Sequence, residues 1–302
     1  MLTLTAEVSR LAADHRQWLS GTGGTRADFT NQTKCDLRMP EVLLRKAIFA
    51  GATLLEADFS GCDLSEAEMS RVDLRRSLMT SANLSGASLS EANLQECWMT
   101  GCVLTEARLL RTNFKGAHME SIRAVEAKMD DTTFAGADLK AAVFLQSRGN
   151  TVDFSSCLLE AADFRSVRMR GVQFPGAKMV GSKFTDGKFE AANWSNADLS
   201  FSLFSRVVAP RASFGGARLH GCDFRDANLS GSDFRGADLS ESRLQTTILQ
   251  GADLRDANLL NARGLTSQQL SAARTDASTI LPSGRKGPYL RNSGAERPMR
   301  VA

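Results

Sequence analysis

The side chains in this 302-residue chain that most readily do chemistry are six cysteines, three histidines and a large set of aspartates. Five cysteines, Cys62, Cys97, Cys102, Cys157 and Cys222, fall where alanine stands in neighbouring stretches. Cysteine in such a place acts as a small buried hydrophobe, and a buried thiol is inert because its thiolate is costly to form there. No C-x-x-C pair occurs, so the spacing of a zinc site is missing. His15, His118 and His220 have neither metal-ligand spacing nor a nucleophile partner, and are expected to pack at a surface or a cap. The glycines at 216, 221, 231 and 236 read as chain corners rather than a phosphate-cradling loop. No catalytic residue, cofactor or metal is expected.

The elements that position these groups follow from a five-residue repeat, visible in the stretch "GSDFRGADLS" from Gly231 to Ser240. Stepping by five from Phe234 in both directions gives 47 positions between Phe29 and Leu259, and Phe, Leu, Met or Trp fills 43 of them. The exceptions are Lys34, Ala124, Gly149 and Ala209. A small residue stands two places before each large one, and the residue between is often Asp or Asn. Period five suits neither a strand, whose faces alternate, nor a helix at 3.6 residues per turn. It suits a solenoid that makes the same corner after each short extended piece. Aromatic residues recur every ten residues over much of 134–234, which implies an even number of sides; four sides fill the interior at crystal-like density.

The A(D/N)LXX words, such as Ala227-Asn228-Leu229-Ser230-Gly231 and Ala252-Asp253-Leu254-Arg255-Asp256, resemble the pentapeptide repeat family over about four-fifths of the chain. The resemblance implies an all-β solenoid, a right-handed quadrilateral β-helix of about eleven coils with short α-helical caps at both ends. The expected organisation is an N-terminal cap helix and lead-in over 1–26, the repeats over 27–265, a C-terminal cap helix over 266–281, and a disordered basic tail over 282–302. Thr266 with Gln269 forms a capping-box pattern at the second helix. Gly149, Ala209 and Ala124 are expected to mark bulges, protruding corners or small cavities.

With twenty residues per coil, Arg108, Lys128, Arg148, Arg168 and Lys188 form one vertical column and become the candidate binding residues. Like charges about 5 Å apart repel by a few tenths of a kcal/mol per step, so the column invites an anionic partner unless Glu106, Glu126 and Asp186 neutralise it. The second-letter aspartates, among them Asp58, Asp163, Asp223 and Asp253, have two readings. The resemblance implies an acidic surface that imitates duplex DNA and occupies a topoisomerase; the alternative is that short polar side chains tie down corners. The repeat region carries 28 basic and 30 acidic residues, which favours the second.

The expected function is therefore a non-enzymatic interaction or scaffold rod with an unknown protein partner. Alternatives are a DNA gyrase or topoisomerase modulator, with homodimerisation through a solenoid end, and anion or nucleic-acid binding through the basic column, nucleic acid being disfavoured by the near-neutral body. No apolar run reaches membrane-spanning length and no secretion signal is seen, so a cytoplasmic location is expected.

Overall fold

The computed structural model describes residues 5–298, and the chain divides into two compact units, Met1–Arg148 and Gly149–Ala302. Each unit is a parallel ladder whose register is twenty residues. In the first, Asp28 pairs with Ile48, Ile48 with Glu68, Glu68 with Ser88 and Ser88 with Arg108. In the second, Asp153 pairs with Gln173, Gln173 with Asn193 and Asn193 with Ser213. One such bridge occurs in each five-residue word, separated by a turn, so regular strands are almost absent. The named elements are α1 (Ala6–Ser20), β1 (Arg148–Asn150), β2 (Arg168–Arg170), β3 (Lys188–Glu190) and α2 (Ser267–Ala272).

Each word reads the same way locally. From Val42 to Leu259 the first letter and the third letter are buried, and the second letter faces outward between them. The fifth letter sits in the left-handed region, at φ near 51–62° in non-glycine residues from Glu41 to Asn261. Glycine meets that demand freely, and Asn or Asp tolerates it. Phe201, at φ 62°, is the only large apolar side chain among the described non-glycine residues with positive φ, a placement that costs roughly 1–2 kcal/mol.

Inside the second unit the aromatic residues form two continuous rows. Phe154, Phe174, Trp194, Phe214 and Phe234 stack face to face with centroids 4.8–5.7 Å apart. Phe164, Phe184, Phe204 and Phe224 stack likewise at 4.5–5.3 Å. The two rows meet edge to face, as Phe154 and Phe164 do at 5.5 Å, the geometry that the ring quadrupole favours. The first unit repeats the pattern in Phe29 on Phe49 at 4.9 Å and Phe114 on Phe134 at 5.0 Å.

The first-letter slot accepts Ser, Thr and Cys as readily as Ala because it supplies a hydrogen-bond acceptor. Ser77 donates to the carbonyl of Leu54 at 3.1 Å, Thr112 to Leu89 at 2.8 Å and Cys97 to Leu74 at 2.8 Å, all 23 residues back. These buried hydroxyls and thiols are thus paired, whereas the hydroxyl of Ser147, in the same slot, is buried without a partner.

The irregular places resolve differently from either sequence expectation. Arg148-Gly149-Asn150 forms β1, one of the three longest extended pieces among the described residues. Ala209 lies one coil from Phe189 in the same inward row, because Lys188 pairs with Val208. Phe189 is fully buried there, so a large ring stands next to a small residue and volume is conserved. Gly187 completes the exchange: a Cβ there would lie 2.5 Å from Phe189 Cε2 and 2.8 Å from the Phe184 carbonyl.

The caps are held by specific groups. Thr5 caps α1, whose C-terminus ends on Gly21 at φ 70°. His15 on α1 is fully buried; its Nδ1 accepts from the Ala27 N–H at 3.0 Å and its Nε2 donates to the Arg45 carbonyl at 3.0 Å, which requires the neutral imidazole. Lys34, the one charged third letter, reaches Glu7 of α1 at 2.8 Å. At the other end Thr266 and Gln269 form the expected capping box on α2. The last coil is covered by the chain itself, since Asp253 pairs with Arg274 and Asn258 with Ile280.

Residues 282–298, expected to lack fixed structure, run in defined turns. Buried Leu281 and Ala295 anchor them, the Tyr289 N–H donates to Thr275 Oγ1 at 2.8 Å, and the Tyr289 hydroxyl donates to the Glu296 carboxylate at 2.9 Å. Residues 299–302 lie outside the described residues. Among the described residues no helix is long and apolar enough to cross a membrane.

Two measurements check this packing. Burial, its largest cause, lowers the His15 pKa below 6.5. The unfolded chain then binds the proton first, so the stability of the α1 cap is complete above pH 6.5 and falls as pH drops through the window beneath it, by at most about 1.4 kcal/mol per pH unit. Hydrogen-exchange protection of α1 amides between pH 7.5 and 5, in wild type and His15→Gln, is expected to fall with acid only in the wild type. Trp194 buries its Nε1–H without a partner, a loss of about 1–3 kcal/mol. Trp194→Phe, which removes the orphan donor along with ring area, is expected to stay within about 1 kcal/mol of wild type in denaturant unfolding, whereas Phe184→Ala is expected to cost about 3–5 kcal/mol.

Candidate functional site

The structure brings the candidate basic residues together in two groups. In the first unit Arg108 pairs with Lys128 and Lys128 with Arg148. In the second Arg168 pairs with Lys188 across β2 and β3. All five side chains are exposed, because each is a second letter on the outward side of a bridge. None of the five has a carboxylate oxygen within 4 Å among the described residues, although several carboxylates are near in sequence. Asp186 is engaged elsewhere, held by Arg206 Nε at 2.7 Å and Nη2 at 2.9 Å. That contact is the main cause that lowers the Asp186 pKa. Glu190, on β3 beside Lys188, lies 3.8 Å from both Arg170 and Arg211. In the second unit Arg170 and Arg211 therefore share the Glu190 carboxylate, while Arg168 and Lys188 in the adjoining column form no salt bridge among the described residues.

The aspartates behave as corner ties. Asp58 Oδ1 accepts from the Ser60 N–H at 3.0 Å, Asp63 from Ser65 at 3.0 Å and Asp238 from Ser240 at 3.0 Å. Each closes the turn that follows its own bridge. Where Arg stands two residues on, the tie becomes a bidentate ion pair. In Asp223–Arg225, Nε donates at 2.9 Å and Nη2 at 2.6 Å, and the same fork recurs in Asp73–Arg75, Asp163–Arg165, Asp233–Arg235 and Asp253–Arg255. The Arg225, Arg235 and Arg255 guanidiniums hold the three carboxyls beside them below the usual range. The sequence carries the signal for these pairs in its D-[FL]-R words, a spacing that a search for catalytic motifs passes over. A face built this way has its negative charge neutralised locally, which is poor material for an imitation of duplex DNA.

Cys62, Cys97, Cys102 and Cys222 are packed and protonated. Burial, as the largest cause, pushes the Cys62, Cys97 and Cys102 thiols up to about 12 and raises Cys222 further. Each donates to a main-chain carbonyl 23 residues back. Cys35 is exposed. The histidines divide: His15 is a cap group, His118 stacks on exposed Trp98 at 3.9 Å, and His220 Nδ1 lies 2.9 Å from Ser240 Oγ. Among the described residues no cluster of three or more His, Cys, Asp or Glu side chains is placed to hold a metal ion.

Outward positions also carry large apolar groups that motif reading missed. Trp98, a second letter in the first unit, is 49% exposed beside Leu78 and His118 in the same column. In the second unit Phe201, a fifth letter, is 59% exposed and Leu203, a second letter, 41%. The signal was available in the grammar itself, since these letters are polar or small in most other words.

No curated protein matches the sequence. Among solved structures, HetL, a pentapeptide repeat protein involved in heterocyst differentiation regulation from the cyanobacterium Nostoc sp. strain PCC 7120, is 24% identical over 90% of this chain and 96% of its own, with a TM-score of 0.31. QnrB1, a plasmid-mediated fluoroquinolone resistance protein, is 18% identical over 81% of this chain and 93% of its own, with a TM-score of 0.38. A pentapeptide repeat protein of the Arabidopsis thaliana thylakoid lumen is 24% identical over 44% of this chain and 79% of its own, with a TM-score of 0.16. The family model for pentapeptide repeats matches eight copies within 43–120 and 211–261, and a second model, for a pentapeptide repeat region, matches 125–194. With the twenty-residue register, the inward third letters and both models in agreement, the chain belongs to the pentapeptide repeat family.

Proposed function

We propose that this protein is a non-enzymatic scaffold: a four-sided solenoid that binds a protein partner through its outward letters. The observation that carries this reading is the unpaired cation column. Elsewhere an Arg stands beside a second-letter Asp and is consumed by it, as in Asp233–Arg235 at 2.7 Å. Arg108, Lys128 and Arg148 in the first unit, and Arg168 and Lys188 in the second, face like charges in their columns with no carboxylate oxygen within 4 Å among the described residues. An acidic protein face supplies the missing counter-charge and gains most where several cations are already aligned.

The interior gives the complementary support. Its space is occupied by stacked rings and aliphatic side chains at zero exposure, so recognition is left to the surface. Retained thiols fit a reducing compartment such as the cytoplasm. A topoisomerase partner would call for a continuous acidic face, and the paired aspartates and the 20 basic against 15 acidic residues of 149–302 count against it.

The test is affinity capture from the native cell with identification by mass spectrometry, using wild type and two charge-reversed variants, Arg108→Glu/Lys128→Glu and Arg168→Glu/Lys188→Glu. The expected outcome is a partner whose recovery falls about tenfold or more in at least one variant and weakens as salt is raised toward 1 M. Identical partner sets at identical recovery in all three proteins would sink the cation-column reading.

A further inference from the structure

One corner of the second unit breaks the outward grammar at several positions together. Val180-Gly181, Ser200-Phe201 and His220-Gly221 occupy the same corner in successive coils: the Gly181 N–H donates to the Ser200 carbonyl at 3.0 Å and the Phe201 N–H to the His220 carbonyl at 2.8 Å. Phe201 holds a left-handed backbone, φ 62°, that other coils give to glycine, as at Gly181 and Gly221. Its ring is nevertheless 59% exposed. One side of the ring lies over Gly221, where a Cβ would come within 2.8 Å of Phe201 Cδ1, so only glycine fits beneath it. The His220 ring meets it edge-on at 5.2 Å. Toward Gly181 the space is open, with nothing within 4 Å of where a Cβ would stand. Val180, 38% exposed, and Leu203, 41% exposed, extend the apolar surface to either side.

Charge frames this patch asymmetrically. Lys178 lies two residues before Val180, and Lys183 pairs in register with Leu203 on the other side of the corner. Both lysines are exposed, and neither makes an ion pair among the described residues. The aspartates in register with the two lysines are already engaged, Asp198 with Arg218 at 3.7 Å and buried Asp163 with Arg165 at 2.6 Å, and Glu160 is the one further carboxylate that lines the surface beside Lys178 and Val180 among the described residues. A strained aromatic residue, two exposed aliphatic groups and two unpaired lysines make an apolar ridge between two positive points.

We propose that the Phe201 corner is a docking site for an acidic segment of a partner protein, one that sets an apolar side chain against Phe201, Val180 and Leu203 and carboxylates against Lys178 and Lys183. The chemistry favours a peptide over single-stranded nucleic acid. Two of the three apolar groups are aliphatic and offer no stacking face, and the Phe201 ring already spends one face on Gly221. The site is separate from the cation column, so each can fail alone.

The experiment is selection from a displayed library of random short peptides on the wild-type protein, with counter-selection on Phe201→Asn, followed by titration of the synthetic consensus. Support is a consensus rich in Asp, Glu and large apolar residues. Its affinity is expected to fall about tenfold or more in Phe201→Asn and in Lys178→Glu/Lys183→Glu, and to stay unchanged in Arg168→Glu/Lys188→Glu. Phe201→Asn, which suits the left-handed backbone, is expected to melt at or above the wild-type temperature; a structural role for the ring would lower it. A basic consensus, no enrichment, tighter binding of an oligothymidylate than of the peptide, or a lowered melting temperature in Phe201→Asn each overturns the proposal.

Discussion

The parallel backbone ladder with a register of twenty residues is the constraint from which the other features descend. Each word contributes one bridge, and each bridge places a letter directly above its counterpart one coil earlier. At the roughly 4.8 Å strand spacing, like therefore meets like. Inside, this is favourable, because aromatic rings stacked at 4.5–5.7 Å bury their faces and gain dispersion along a whole row. Outside, the same geometry turns any repeated charge into a column of repulsion. The fold thus rewards repetition in its interior and penalises it on its surface.

That asymmetry explains what could be read from the sequence. The third-letter phase runs unbroken from Phe29 to Leu259, and an unbroken phase leaves little freedom in how the chain winds. The small first letter was equally plain, and with it the inertness of Cys62 or Cys222. The capping box of Thr266 and Gln269 is a local matter and was legible for that reason. The exceptions were harder, because their resolution is three-dimensional. Ala209 suggests a cavity until Phe189 is seen one coil away, with Gly187 making room for its ring. Gly149 suggests a distortion, yet its word is among the most extended. Order in 282–298 depends on Tyr289 finding Thr275 and Glu296, contacts that composition does not encode.

The candidate site was half legible. Column membership follows from the register by arithmetic, so Arg108 with Lys128 and Arg168 with Lys188 could be matched before any coordinates. Whether neighbouring carboxylates neutralise them could not. Asp186 stands two residues before Lys188 but is held by Arg206 from the next coil. The preference has a physical origin. A fork of two short hydrogen bonds between planar groups is stronger than a point contact to a lysine ammonium, so Arg206 claims Asp186 ahead of Lys188. The same competition leaves Lys178 and Lys183 without a salt bridge among the described residues while Arg218 and Arg165 hold Asp198 and Asp163.

Recognition in such a protein must then reside in departures from its own repeat. A word that obeys the pattern presents a short polar side chain and a small or charged corner, and every face built of such words resembles every other. Distinct surface chemistry arises only where an outward letter is spent on something the solenoid does not need. Trp98 and Phe201 are of that kind: neither fills the interior, and Phe201 holds a backbone conformation that glycine occupies at no cost in the adjacent coils. Stability arguments favour replacing such residues, and their presence is informative because those arguments run against it.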